Sequence, residues 1–451
     1  MNNEVMNKFK GKKVAILGFG REGKSTFNYI RKHDPNFRLC ILDQNENLIE
    51  ENDFLKGDTN VKCFLGPHYL DNLRQFDVIV KTPGITLKDI ELDRIEKKIT
   101  SQIEILLEYF RDQIIGVTGT KGKSTTSSLI YKVLKDQNVD VLLLGNIGIP
   151  VFDHIDEINN NTKVVVEMSS HQLEFVKYSP HIGIILNLFE EHLDHAKTLE
   201  HYYECKMKMF EYQGRLDYSI YCEDNVALVN LVNKQNIDTI KIPYKFSSSK
   251  QDSNVIYTDE NSIYYKNKSI YNINCERNLI GKHNLNNIMA TFAVVNILGL
   301  NNEKAAVSIN EFVPLEHRLE LVGMFDGVTY YNDSIATIPE ATINAIESLG
   351  IVNTLIFGGM DRGIHYEKLV EYLKSCNVEN LVCMPDTGYK IGRQITNKNV
   401  YYAENLEKAV ALAKQITKKG MICLLSPAAP SYNQFKNFEE KGRKFKDLVG
   451  R

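Results

Sequence analysis

Ten short apolar runs, each closed by a glycine-rich or polar turn, set the strongest limit on what this chain can fold into. KVAILGFG (13–20), RLCILDQ (38–44) and FDVIVKTPG (76–84) form a first set. QIIGVTG (113–119), VDVLLLG (139–145), KVVVEMSS (163–170) and IGIILNL (182–188) form a second. VNTLIFGG (352–359), NLVCMP (380–385) and MICLLSP (421–427) form a third. Their length and β-branched content fit parallel strands buried on both faces, with amphipathic helix-length stretches between them as crossovers. That strand–loop–helix rhythm predicts doubly wound α/β domains, whose ligand sites lie at the carboxyl ends of the strands.

With 451 residues the chain is too long for one core. The three sets predict three domains, 1–101, 102–313 and 314–451, the first and last Rossmann-like and the central one built around a phosphate loop on a parallel sheet. The last break is expected after a helix-like stretch over 283–310 and just before Pro314. Residues 219–275 read as short strands inserted late in the central domain, and SSSKQDSN (247–254) as a loop.

Composition removes several classes of function. A net charge of −3 gives no general reason to bind nucleic acid or an acidic membrane. No apolar run reaches the ~18 residues of a membrane span, and the polar start MNNEVMNKFKGKK lacks the apolar centre of a signal peptide. Eight cysteines form no CxxC pair, so neither zinc nor a disulfide framework is expected, and a reduced cytoplasmic setting is.

Two glycine-rich loops follow strands and open helices. GFGREG places Gly18, Gly20 and Gly23 after strand 13–17, with Asp43 closing the next strand. Glycines admit a pyrophosphate and the acid can hold a ribose hydroxyl, which fits a nucleotide fingerprint; a tight turn is the plainer alternative. TGTKGKSTT (118–126) departs from the strict phosphate-loop pattern, with Val117 in the first glycine's place. Its Gly119 and Gly122 would still turn N–H groups toward phosphate, Lys123 would reach the outer phosphates and Ser124 could ligate Mg²⁺. A mere helix-capping turn leaves the GKST run unexplained. Carboxylates for a metal are expected at the next strand ends: Glu167 before Ser169, Ser170 and His171, and Glu190, Glu191, His192 and Asp194 after Asn187. YYNDSIATIPEAT (330–342) gathers short polar side chains at a strand-to-helix junction, where Pro339 and Glu340 read as a first helical turn.

GTKGKST, GNIG (145–148), EMSSHQL (167–173), NLFEEHLDH (187–195), YYECKMKMF (202–210), GKHNLNN (281–287), EHRLE (316–320), NDSIAT (332–337) and SPAAPSYNQFKNFEEKG (426–442) together resemble the Mur ligases. The likeness runs along essentially the whole chain and is strongest to the branch that adds D-glutamate. It implies a UDP-sugar-binding domain (1–101), a central ATPase domain (102–313) and a C-terminal domain (314–451) that closes over the amino acid. It also implies an ATP-dependent acid–amino-acid ligase of peptidoglycan precursor synthesis. Such an enzyme phosphorylates the carboxylate of UDP-N-acetylmuramoyl-L-alanine, and glutamate, D-glutamate by default, then attacks the acyl phosphate. ATP, two Mg²⁺ ions and CO₂, bound as a carbamate on Lys206, are the implied cofactors, and a monomer the implied state.

The resemblance assigns Gly18, Gly20, Arg21, Glu22, Gly23, Asp43, Gln44, Asn45, Thr82 and Asn146 to the sugar nucleotide. It assigns Gly119, Thr120, Lys121, Gly122, Lys123, Ser124, Thr125, Asn284, Arg318 and Asp333 to ATP. Lys123, Glu167, His192 and Lys206 are implied in catalysis, with Ser124, Glu167, His192 and carbamylated Lys206 around metal. Thr337, Arg362, Ser431 and Phe438 are implied at the amino acid.

Three positions depart from the family pattern. His171 stands where an aromatic is usual, Lys121 replaces an asparagine, and Ile335 replaces a lysine near the incoming glutamate. An apolar side chain cannot pair with a carboxylate, so that contact falls to another group, and Arg362 can offer a bidentate one. L-glutamate or another acidic acceptor therefore stays open. A folylpolyglutamate-type ligase conflicts with the GxGxxG domain. An NAD-dependent oxidoreductase leaves residues 118–210 without a role, and a non-catalytic regulator does not explain the near-complete ATPase set.

Overall fold

A computed structural model describes all residues except 1, 89, 146–148, 190–197, 236, 248, 250–253, 362, 364 and 451. Three sheets organise the chain. The first contains β1 (Val14–Leu17), β2 (Leu39–Asp43), β3 (Val61–Leu65), β4 (Val78–Lys81) and β5 (Ile99–Thr100), all parallel, in the order β3-β2-β1-β4-β5. The order reverses between β1 and β4, so a crevice opens where their carboxyl ends diverge. The fingerprint helix begins at Arg21 and runs to His33, earlier than the apolar pattern alone marks.

The second sheet contains β6 (Ile114–Thr118), β7 (Val141–Gly145), β8 (Lys163–Glu167), β9 (Ile182–Ile185), β10 (Tyr218–Cys222), β11 (Ile240–Phe246), β12 (Ile256–Thr258), β13 (Ser262–Tyr265) and β14 (Lys268–Asn272). Its order is β14-β13-β12-β11-β10-β9-β6-β8-β7. The strands of 219–275 thus do not stand apart as an insertion; β10 to β12 extend the parallel sheet, and β13 and β14 finish it antiparallel. The phosphate loop leaves β6, which lies between β8 and β9, so residues at both neighbouring strand ends reach it.

The third sheet contains β15 (Glu320–Phe325), β16 (Val328–Asn332), β17 (Val352–Phe357), β18 (Asn380–Cys383), β19 (Asn399–Tyr402) and β20 (Ile422–Leu425), ordered β15-β16-β20-β17-β18-β19. Only β15 is antiparallel. All ten apolar runs contain strands of these sheets. The stretch 283–310 is not one helix: helices Lys282–Ile297 and Asn302–Asn310 are separated at Gly299, whose φ of +65° ends the first. The Asn301 side chain accepts from the Lys304 N–H (2.9 Å) and starts the second.

Contacts divide the chain into two compact units, Met1–Cys275 with Asn286–Ile309, and Glu276–Leu285 with Asn310–Arg451. The first holds two sheets joined through helix Gln102–Phe110. Its cap, Ser101, accepts from the Glu104 N–H, and buried Gln102 donates to the Glu22 carbonyl and Thr26 hydroxyl, both at 2.9 Å. Among the described residues no helix is long and apolar enough to cross a membrane.

Candidate functional site

The loop after β6 is braced from β9. Asn187 accepts from the Lys121 N–H (2.8 Å) and donates to the Lys121 carbonyl (3.1 Å), and its own carbonyl accepts from the Thr120 N–H (3.0 Å). Tyr202 donates to the Thr120 hydroxyl at 3.2 Å. Gly122 caps helix Lys123–Asp136 with φ +85°, and a Cβ there would lie 2.5 Å from Asn287 Oδ1. Only glycine meets both demands. Asn287 also accepts from the Thr126 hydroxyl (3.0 Å), fixing the next turn. The Lys123 ammonium donates to the Gly119 and Thr120 carbonyls, each at 3.0 Å.

Lys206, on helix Leu199–Glu211, meets the same loop. It is buried, donates to the Gly119 carbonyl at 2.8 Å and lies 4.8 Å from the centre of the Tyr202 ring. Glu167 ends β8 in register with Val117 and is 2 % exposed, while Ser124 is buried in the first helical turn. A hydroxyl in the helix that follows β6 and a carboxylate at the end of neighbouring β8 are the hard oxygen donors that Mg²⁺ accepts. Among the described residues no group of three histidine, cysteine or acidic side chains forms a metal cluster. His192 and Asn146, expected here, lie outside the described residues.

The crevice of the first sheet adjoins this region. Both Asp43 carboxylate oxygens receive main-chain donors, Phe19 N–H at 2.7 Å and Asn45 N–H at 2.9 Å, so Asp43 shapes the GFGREG loop. Thr82 holds the end of β4 to β1 by donating to the Leu17 carbonyl (3.1 Å). Gln44 is exposed and Asn45 half-buried beside it; Gly18 and Gly23 are buried, with Gly20 and Arg21 exposed at the helix start. Glu22 accepts from the Gln172 amide (2.9 Å), and its burial raises its carboxyl above the ordinary range against that bond and the nearby Lys81. Burial lowers the Lys81 ammonium, opposed by Glu174, 3.6 Å away. Glu174 also lies 3.7 Å from His201 Nε2. Burial and then Glu174 push the Cys205 thiol up to about 12.

A cavity of about 390 Å³ collects both halves of this unit. Pro83 to Thr86 line it from the first sheet; Ser169 to His171, Lys123 and Lys206 line it from the second. Glu174, His201, Tyr202 and Cys205 also line it. Their roles, like the bracing by Asn187 and Asn287, were not legible as site residues, because only the packing of distant segments brings them together. The position of Asn187 just past a strand beside the phosphate loop is the one signal that points to it.

In the second unit, Arg318 occupies a turn between His317 (φ +68°) and Leu319 (φ +49°), left-handed conformations that side chains adopt at a cost. Asp333 secures this turn: one carboxylate oxygen accepts from the Leu319 N–H (3.1 Å), the other from the Ser426 hydroxyl (2.9 Å). Arg318 and Asp333 are thus neighbours. Asn284 is buried and donates to the Ile280 carbonyl (2.6 Å). Thr337 and Ile335 are half-buried before helix Pro339–Leu349, which has Pro at its start as expected. Ser431 is buried, and Phe438 opens helix Phe438–Val449, its ring 6.1 Å from that of His317. Arg362 lies outside the described residues.

Three family models match the chain in order: Mur ligase MurD-like, N-terminal domain, over 12–106; Mur ligase middle domain, over 117–295; and Mur ligase, glutamate ligase domain, over 317–429. A UDP-N-acetylmuramoylalanine--D-glutamate ligase of Clostridium acetobutylicum is 35% identical, covering 99% of this chain and 98% of its own. The protein of that name in Clostridioides difficile is 34% identical, covering 98% of both. A MurF ligase of Thermotoga maritima, solved in complex with ADP, shares the fold with a TM-score of 0.60 at 16% identity, over 99% of this chain and 97% of that one.

Proposed function

The chain belongs to the Mur ligase family of ATP-dependent amide ligases, and from that premise we propose that it joins D-glutamate to UDP-N-acetylmuramoyl-L-alanine in peptidoglycan precursor synthesis. The observation that carries this reading is the meeting of two lysines on one loop carbonyl. Lys123 and Lys206 both donate to Gly119, at 3.0 and 2.8 Å, on a cavity lined also by the loop at the first sheet's crevice. A phosphate loop and a sugar-nucleotide crevice that share one cavity suit transfer of phosphoryl from ATP to a carboxylate carried by the sugar nucleotide.

In this reading residues 1–101 hold the sugar nucleotide, 102–313 the ATP and 314–451 the amino acid. A carboxylate oxygen of the alanyl group attacks the γ-phosphorus and ADP leaves. The glutamate amine then attacks the acyl carbon, phosphate departs and the nitrogen loses a proton. The chain contributes mainly positioning and charge. Lys123 leaves its loop carbonyls for phosphate oxygens, and Gly119 to Thr125 offer main-chain N–H groups and the helix start. Ser124 and Glu167 would hold Mg²⁺, with His192 beside it, and the ion would neutralise phosphate charge when bound. Lys206 is suited to a metal only after carbamylation, which turns a cation into an oxygen donor. Asn284, Arg318 and Asp333 are assigned to ATP, and Gly18, Gly20 to Gly23, Asp43 to Asn45, Thr82 and Asn146 to the sugar nucleotide. Thr337, Arg362, Ser431 and Phe438 take the amino acid. A cytoplasmic monomer accords with these soluble substrates.

The test is a product-identified assay with purified protein, UDP-N-acetylmuramoyl-L-alanine, ATP and Mg²⁺. Phosphate release and a new amide are expected with D-glutamate. L-glutamate is run beside it because Ile335 brings no charge to its junction. Absence of turnover with both enantiomers removes the proposal.

A further inference from the structure

A buried cation stands in the second unit apart from every residue assigned above. Lys441 lies on the inner face of helix Phe438–Val449 with Gly442, Phe445 and Val449. It is 2 % exposed, and its Nζ donates to the Gly358 carbonyl at 2.8 Å. Gly358 follows β17 directly, at the carboxyl edge where a ligand of such a sheet is received. Its main chain is held on every side: φ is +123°, a Cβ would lie 2.2 Å from the Met384 carbonyl oxygen, and its N–H donates to the Pro427 carbonyl. Two residues on, the Met360 N–H donates to the Pro430 carbonyl, beside Ser431. Lys441 therefore fixes the root of the segment that aligns Ser431 with the loop after β17.

The surroundings are unfinished in one specific way. The hydroxyls of Ser334 and Ser431 are buried without a hydrogen-bond partner among the described residues. Ser334 Oγ lies against the same helix, 2.5 Å from where a Cβ on Gly442 would be. A buried charge without a counter-ion is costly, and so is a buried hydroxyl without a partner. A carboxylate received at this sheet edge would offset the buried charge through space.

We propose that Lys441 is a positioning and specificity-determining residue for the acceptor, holding the loop after β17 through Gly358 and supplying the positive charge that favours an anionic amino acid there. The inference rests on the reading that the second unit receives an acidic amino acid. Burial pushes the Lys441 ammonium down to about 7, and a carboxylate nearby would draw the proton back.

The test compares Lys441→Met, Lys441→Gln and Lys441→Arg in the full chain, with KM measured separately for D-glutamate, ATP and the sugar nucleotide. Methionine fills the space without charge, glutamine keeps a donor for Gly358 without charge, and arginine restores the charge. KM for D-glutamate is expected to rise at least about tenfold in K441M and K441Q, with the other two KM values within about twofold, and to recover in K441R. Should K441M not fold, K441Q decides by the same criterion. An unchanged KM for D-glutamate in the folded uncharged variants overturns the inference, as does a parallel change in all three KM values. Wild-type protein without glutamate-dependent turnover would instead overturn the proposed function.

Discussion

Lys123 folds back onto the carbonyls of its own loop, so a phosphate must take it from two acceptors at 3.0 Å. Charge-assisted contact with phosphate is the stronger interaction, and its value lies in the transition state. Lys123→Ala is therefore expected to lower kcat at least about a hundredfold while the folded protein survives. Single-turnover phosphate release checks it, and a kcat near wild type would rule the role out. Lys441 gives a different signal. Its ammonium titrates at about 7 in the folded protein against an ordinary 10.5. Below about pH 7 both folded and unfolded chains carry the proton, and the folded form bears the full cost of burying it. Between about 7 and 10.5 the unfolded chain keeps a proton that the folded one has lost, so stability should rise with pH. Urea unfolding at a series of pH values should show this rise in wild type and a shallower one in Lys441→Met; identical slopes would contradict it. Lys123 was legible because a GKST run after a strand has few other uses. Lys441 was not, since FEEKG gives no hint that its lysine turns inward.

At the scale of elements, strands buried on both faces are legible in the sequence as apolar runs. β1, β4, β6, β9, β17, β18 and β20 are fully buried, β8 is buried but for its first residue, and all stand out as short, mostly apolar runs. β3 and β19 at sheet edges are only partly buried, so their mixed pattern carried too little apolar signal. The break at Gly299 escaped for the opposite reason, because the apolar pattern continues through Leu298 and Leu300 while the backbone turns. A glycine at φ > 0 also decides the phosphate loop. In Gly122→Ala the new Cβ meets a strained backbone and Asn287 together. The variant should lose about 1–3 kcal/mol of stability and bind ADP at least about tenfold more weakly, since the loop and its helix start move as one. Calorimetric titration with ADP checks it, and wild-type affinity in a destabilised protein would separate loop geometry from nucleotide binding.

At the scale of the molecule, each compact unit has cores of its own. Ile16, Val80, Ile105 and Val166 belong to one core of the first unit; Leu355, Leu381 and Leu424 belong to one of the second. A chain so divided need not unfold as a single two-state system. Ligand linkage can then identify which unit holds which substrate. The residues assigned to the sugar nucleotide all lie in the first unit, so UDP-N-acetylmuramoyl-L-alanine should stabilise that unit alone. At a hundred times its Kd the gain is about 2.7 kcal/mol. Scanning calorimetry should resolve two transitions, one moving upward with the sugar nucleotide while the other stays in place. Lys81→Met gives the internal control. Lys81 stands between Glu174 and the Thr82 carbonyl, on the sugar-nucleotide side of the first unit, so the variant should shift the same transition that the sugar nucleotide shifts. A single transition that moves as one, or a ligand shift in the transition that Lys81→Met leaves untouched, would place the sugar nucleotide elsewhere.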